Sequence, residues 1–240
     1  MRLLSIFILS LWTTFAFQAN AQADSLSIAR TFISQGRNSE ALAILDELTN
    51  QQMIRNDALM FRSQAYFQLG EYDNAFLDAS EMLKEKEHLT KNQLYNAYWN
   101  AGVSLVIQGH FNQSLEYVVS AQKLKKKDLK VNQTLALVYM NLGRFDEARR
   151  AIKDSEKIAR NHFGNYKLLG QLYLMKGELE KALVNYDKCI SINPNYAPAY
   201  ENRATVKLGL NDKEGACTDL KKALSLGVQQ VASAIKEICQ

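Results

Sequence analysis

Small and bulky side chains recur along this chain at one fixed phase. Taken from the turn residues Gly36, Gly70, Gly109, Gly143, Gly177 and Asn211, the successive separations are 34, 39, 34, 34 and 34 residues. Glycine and asparagine tolerate the positive φ that ends a helix sharply. Seven residues before each turn stand Ala29, Ser63, Gly102, Ala136, Gly170 and Ala204. Five residues after it stand Ala41, Ala75, Ser114, Ala148, Ala182 and Ala216. All twelve are small, so two helices can lie close together there. Four residues before each turn come Phe32, Tyr66, Leu105, Tyr139, Tyr173 and Lys207, bulky and apolar in five of six. Apolar positions at helical spacing on one face predict an amphipathic helix on each side of every turn. The pattern therefore predicts six helical hairpins, 22–55, 56–89, 95–128, 129–162, 163–196 and 197–230.

The fifth hairpin reads Leu169-Gly170-x-x-Tyr173, then Ala182-x-x-x-Tyr186, then Pro194. This spacing resembles the tetratricopeptide repeat, a helix–turn–helix unit of 34 residues. The resemblance covers nearly all the chain after residue 23. It implies an all-α fold, a right-handed α–α superhelix of about six hairpins plus a C-terminal capping helix. The chain departs from the family pattern in several places. No repeat has the early tryptophan, and Tyr98, Tyr166 and Tyr200 replace it in three. Only the fifth repeat keeps the terminal proline, and Arg62 stands where Leu169 stands in the fifth.

The separation of 39 comes from an insertion around His88–Gln93. Thr90 with Gln93 three residues on is a capping-box signature, which predicts a helix starting at Lys91. The inserted residues either lengthen that helix by roughly 7 Å, at ~1.5 Å per residue, or make a slightly longer loop. At the other end Arg203, Lys207 and Lys213 replace apolar residues, as a polar outer end of a solenoid requires. Gly227 stops that helix, and 228–239 is expected to form one capping helix with Val231, Ala234, Ile235 and Ile238 on one face.

Composition adds a compartment to this picture. Arg2 precedes the uncharged run Leu3–Phe17, and small residues follow at Ala21 and Ala23. A positive start, an apolar stretch and small residues predict a secretory signal peptide over 1–23, cut after Ala23 or, as the near alternative, after Ala21. The run is shorter than the roughly 20 residues a membrane span needs. The expectation is a periplasmic or secreted chain, one repeat domain over 24–240, without a transmembrane span. The net charge of +4 is near balance and gives no reason to expect nucleic acid.

Candidate chemistry is sparse. The three cysteines are Cys189, Cys217 and Cys239. Cys217 and Cys239 are equidistant from the bend at Gly227–Val228, and an oxidising compartment would join them as a disulfide. Cys189 falls on a small buried position and reads as a core thiol. His88, His110 and His162 lie in different repeats and read as solvated surface residues. No HExxH, CxxC, GxSxG or phosphate loop is present, so neither catalysis, metal nor cofactor is expected. The lysine run 123–127 complements a helix C-terminus.

What remains is the face of each first helix turned away from its hairpin partner. It carries Met60, Gln64 and Phe67 in repeat two, and Asn96, Trp99, Asn100 and Val103 in repeat three. Gln133 and Leu137, Lys167 and Gln171, then Glu201, Asn202 and Thr205 follow in repeats four to six. The family resemblance implies that this stripe lines a concave groove where a partner protein or peptide lies. Asn100 and Asn202 match a family position often filled by a backbone-binding asparagine. The Lys and Asn set with which one subfamily clamps a carboxylate over three successive repeats is not found. The plain alternative is that Trp99 and Met60 only pack between neighbouring repeats. These readings predict a non-enzymatic interaction scaffold or adaptor of the cell envelope. The alternatives are a structural subunit of a larger envelope complex or an accessory that binds cell-wall glycan.

Overall fold

A computed structural model describes residues 20–239. The predicted signal segment lies mostly outside the described residues, while Ala21 and Ala23 fall inside the first helix, α1 (20–34). The described residues hold helices and turns with no strand. The described residues divide into two compact units, 20–124 and 125–239.

The first unit is built from three hairpins. They are α1 with α2 (Asn38–Leu48), α3 (Arg55–Leu69) with α4 (Tyr72–Leu83), and α5 (Lys91–Ile107) with α6 (Phe111–Leu124). Helix α3 packs on α2, α4 and α5, so each first helix touches its own partner and its neighbours. Ala29, Ile33, Ala41, Leu45, Leu48, Ala58 and Ala65 form one buried cluster, the small side chains of the sequence phase lying where backbones approach. Thr90 caps α5 reciprocally with Gln93, as the sequence signature predicts. The insertion does lengthen the helix. Helix α5 has 17 residues where α7, α9 and α11 each have 13. A short 3-10 turn, Lys86–His88, precedes it.

The second unit repeats the plan with α7 (Leu129–Asn141) and α8 (Phe145–Ile158), α9 (Phe163–Met175) and α10 (Leu179–Ile192), and α11 (Ala197–Gly209) and α12 (Lys213–Ser225). The C-terminal segment departs from the single helix expected over 228–239. It forms a 3-10 turn, Gln229–Val231, and then a seven-residue helix, α13 (Ala232–Ile238). The tight turn swings Val231 onto α12, where it is buried, and α13 lays Ile235 and Ile238 over the same cluster. Cys217 and Cys239 are joined by a disulfide with their Cα atoms 5.5 Å apart.

All six hairpin turns close alike. Gly36, Gly70, Gly109, Gly143, Gly177 and Asn211 have φ between 62° and 81°. At each, the next residue's N–H reaches back to the carbonyl of the bulky position: Arg37 to Phe32, Glu71 to Tyr66, His110 to Leu105, Arg144 to Tyr139, Glu178 to Tyr173 and Asp212 to Lys207, at 2.8–2.9 Å. This 6→1 bond satisfies a carbonyl that the helix end would otherwise orphan. Between helices, Gly170 is small by necessity. A Cβ there would stand 2.8 Å from the ring of Tyr186, which is wholly buried.

Candidate partner-binding groove

In the first unit the unpaired faces of α1, α3 and α5 enclose a groove with a volume of about 630 Å³. Met60, Gln64, Phe67, Asn96, Trp99 and Asn100, all placed on that stripe by the sequence phase, line it together. Val103, one turn further along α5, is not among the lining residues. Arg30, Ile33, Ser34, Phe61, Gln68 and Asn92 line it as well and escaped the sequence reading. The signal for three of them was available: Arg30, Ile33 and Ser34 sit in repeat one at the phases of Gln64, Phe67 and Gln68 in repeat two.

Internal bonds orient two of the amides. Asn96 Nδ2 donates to the Asn92 carbonyl at 2.9 Å, with the Met60 sulfur at 3.4 Å. Asn100 Nδ2 donates to Ser63 Oγ at 3.2 Å, and Ser63 in turn donates to the Ala75 carbonyl. Asn96 has its amide nitrogen engaged twice and Asn100 once, and among the described residues no donor meets the carbonyl oxygen of either. Met60 itself is buried, so its contribution is a floor rather than a protruding anchor.

The second unit treats its share of the stripe differently. Gln133 Nε2 donates to Asn165 Oδ1 at 3.0 Å and lies 3.3 Å from His162 Nδ1. Asn165 is fully buried, accepts from Ser155 Oγ at 2.6 Å and donates to the Ala159 carbonyl. His162 is therefore no solvated surface residue. It accepts the Gly164 N–H at the start of α9 and stacks on Phe163. Asn202 donates to the Pro198 carbonyl, and Thr205 Oγ1 to that of Glu201. Leu137 and Gln171 are half-buried and are not part of the first unit's groove. Burial holds the Lys167 ammonium below the ordinary lysine range, with Cys189 acting the other way. Burial in turn pushes the Cys189 thiol up to about 11. A thiol so held is a weak nucleophile.

Arg203 and Lys207 do not form the polar outer end that the sequence suggested. Both hold Asp219, whose side chain is 3% exposed, and Arg203 also reaches Asp187 of the preceding hairpin. Arg62 makes the same arrangement with Asp78 and Asp46 in the first unit. The charge stays because three groups satisfy one another, where the equivalent positions Leu135 and Ala151 of repeat four are simply apolar.

Among the described residues, no cluster of His, Cys, Asp and Glu could hold a metal ion, and no helix is long and apolar enough to cross a membrane. Models of the tetratricopeptide repeat match residues 26–87, 129–162 and 166–196. The chain belongs to the tetratricopeptide-repeat family. A solved tetratricopeptide-repeat protein from Parabacteroides merdae superposes with a TM-score of 0.68 over 90% of this chain and 82% of its own, at 22% identity. At that identity the likeness speaks for the fold alone. Among curated proteins, the BBSome complex member BBS4 of Bos taurus is 32% identical over 91 residues, 38% of this chain and 17% of its own. The protein NPGR2 of Arabidopsis thaliana is 24% identical over 205 residues, 83% of this chain and 25% of its own. This tetratricopeptide-repeat chain thus spans a quarter or less of the length of these curated relatives.

Proposed function

We propose that this protein is a non-enzymatic interaction scaffold that holds a partner protein or peptide in the groove of its first unit. The observation that carries the reading is the convergence of Phe67, Trp99, Asn96 and Asn100 on one groove. Apolar rings supply burial, and amides supply the directional bonds that a protein partner needs. The family membership supports the same class, since solenoids of this kind present extended binding surfaces. The exported location belongs to the proposal and rests on the sequence of the first 23 residues. Sequencing the N-terminus of the chain recovered from cells checks it, with Asp24 expected first and Met1 overturning it.

The groove is tested by affinity capture followed by measurement with the purified partner. Trp99→Ala combined with Asn100→Ala should weaken binding at least tenfold. Unchanged affinity would remove the groove from the account.

One observation favours a second reading, a structural subunit that docks through its outer face. Leu77 on α4 and Val184 on α10 occupy the same phase on second helices and are 62% and 66% exposed. Crosslinks to a partner that cluster at Leu77 and Val184 rather than at Trp99 would favour that reading.

A further inference from the structure

The lining of the first unit's groove has an unbalanced charge. Arg30 is cationic, and the lining contains no aspartate or glutamate. The other described arginines of this unit are all engaged: Arg37 with Glu40, Arg55 with Glu81 at 2.9 Å, and Arg62 with Asp46 and Asp78 at 2.8 and 2.7 Å. Arg30 holds no carboxylate among the described residues, and it is exposed. A guanidinium left free beside an apolar floor is the partner a carboxylate lacks, because its planar fork matches that group with two bonds.

The amides narrow the occupant further. Gln64 and Gln68 of α3 and Asn92, Asn96 and Asn100 of α5 give the groove an amide-rich wall. A helix presented to this wall would have its backbone groups already spent on itself, whereas an extended segment offers a row of free N–H and C=O groups. Asn96 and Asn100 line the groove, and among the described residues no donor meets their carbonyl oxygens. A polyanion such as nucleic acid would require several cations, and the lining has one. We propose that the groove's occupant is an extended peptide carrying an aspartate or glutamate that pairs with Arg30, with a neighbouring apolar side chain seated among Phe61, Phe67 and Trp99. This deepens the scaffold reading above and rests on it.

The test is selection from a displayed pool of random eight-residue peptides on the full-length chain and on Arg30→Gln, alongside an array of neutral and uronate-containing oligosaccharides. The wild-type pool should gain aspartate and glutamate at least threefold over input at one position beside an apolar residue, and the Arg30→Gln pool should not. A chosen acidic peptide should bind at least tenfold more tightly than its lysine-substituted twin, and this preference should shrink with added salt. Selected peptides without acidic enrichment, an enrichment that survives Arg30→Gln, no selected peptide, or retention of oligosaccharides instead would each overturn the inference. The two readings fail separately. Peptides that bind regardless of charge, and are lost in the Trp99→Ala, Asn100→Ala double variant, leave the groove standing without its acidic occupant. A captured partner indifferent to that double variant removes the groove itself.

Discussion

Arg62 grips Asp78 with two hydrogen bonds, Nε to Oδ2 at 2.8 Å and Nη2 to Oδ1 at 2.7 Å. Asp78 is buried and cannot find water in place of that fork. Arg62→Leu should therefore cost about 3 kcal/mol, since it strands a buried carboxylate. Arg62→Leu with Asp78→Ala should recover most of that loss, because repeat four already carries Leu135 and Ala151 at those phases. Urea unfolding midpoints of the two single variants and the double variant check it. A loss in the double variant equal to the sum of the two single losses would show that the pair is not coupled.

The disulfide pins the last helix. Closing a loop between Cys217 and Cys239, 22 residues apart, contributes about 3 kcal/mol in the chain-entropy account. Cys239→Ser should lower the stability of the second unit by that order and raise hydrogen exchange in α13 first. Thiol titration of the denatured, unreduced protein should find one reactive thiol, that of Cys189. Three would contradict the link.

Tyr186 is wholly buried against Gly170, and its hydroxyl has no hydrogen-bond partner among the described residues. Tyr186→Phe should stabilise the protein by about 1 kcal/mol, by removing an unmet polar group. Gly170→Ala should destabilise it by about 2 kcal/mol, because the added methyl must displace that ring. Thermal midpoints of the two variants should therefore move in opposite directions.

Lys167 gives a pH dependence of known sign. Its folded value is lowered by burial from the ordinary 10.5, so the folded chain releases this proton before the unfolded chain does. Its contribution to stability accordingly rises with pH through the window between the lowered value and 10.5. Cys189 works the other way. With its folded value raised to about 11, its contribution is full below the unfolded value and is lost as pH climbs toward 11. Lys167→Met should raise stability by about 1 kcal/mol at neutral pH, since no ion pair among the described residues repays the buried charge. Above the lowered lysine value, the variant should lose stability with pH more steeply than the wild type. Urea midpoints across pH 7 to 10.5 read both slopes.

The hairpins were legible because one local requirement, a left-handed residue followed by a 6→1 bond, leaves the same mark at every turn from Gly36 to Asn211. The small positions were legible for a similar reason, since Ala182 and Gly170 answer to backbone distance alone. Half of the groove was legible, and Arg30 was missed because the stripe was not carried back into repeat one. The charges were the hardest to read. Arg203 and Lys207 look like surface residues in a linear count, and only the folded chain shows that Asp219 lies between them. Seeing Arg at one phase paired with Asp sixteen residues on, in both repeat two and repeat six, would have exposed the device. His162 and the cap escaped because a histidine N-cap and a 3-10 entry turn have weak composition signals.

The seclusion of Cys189 has a practical consequence. With its two fellow cysteines joined, its sulfur is the sole alkylation target, and it lies on α10 between α9 and α11. A labelling reagent can reach it only while those helices part, so the rate of modification times the breathing of the second unit without any probe having to be engineered in. Ligands or partners that tighten this unit would slow the reaction.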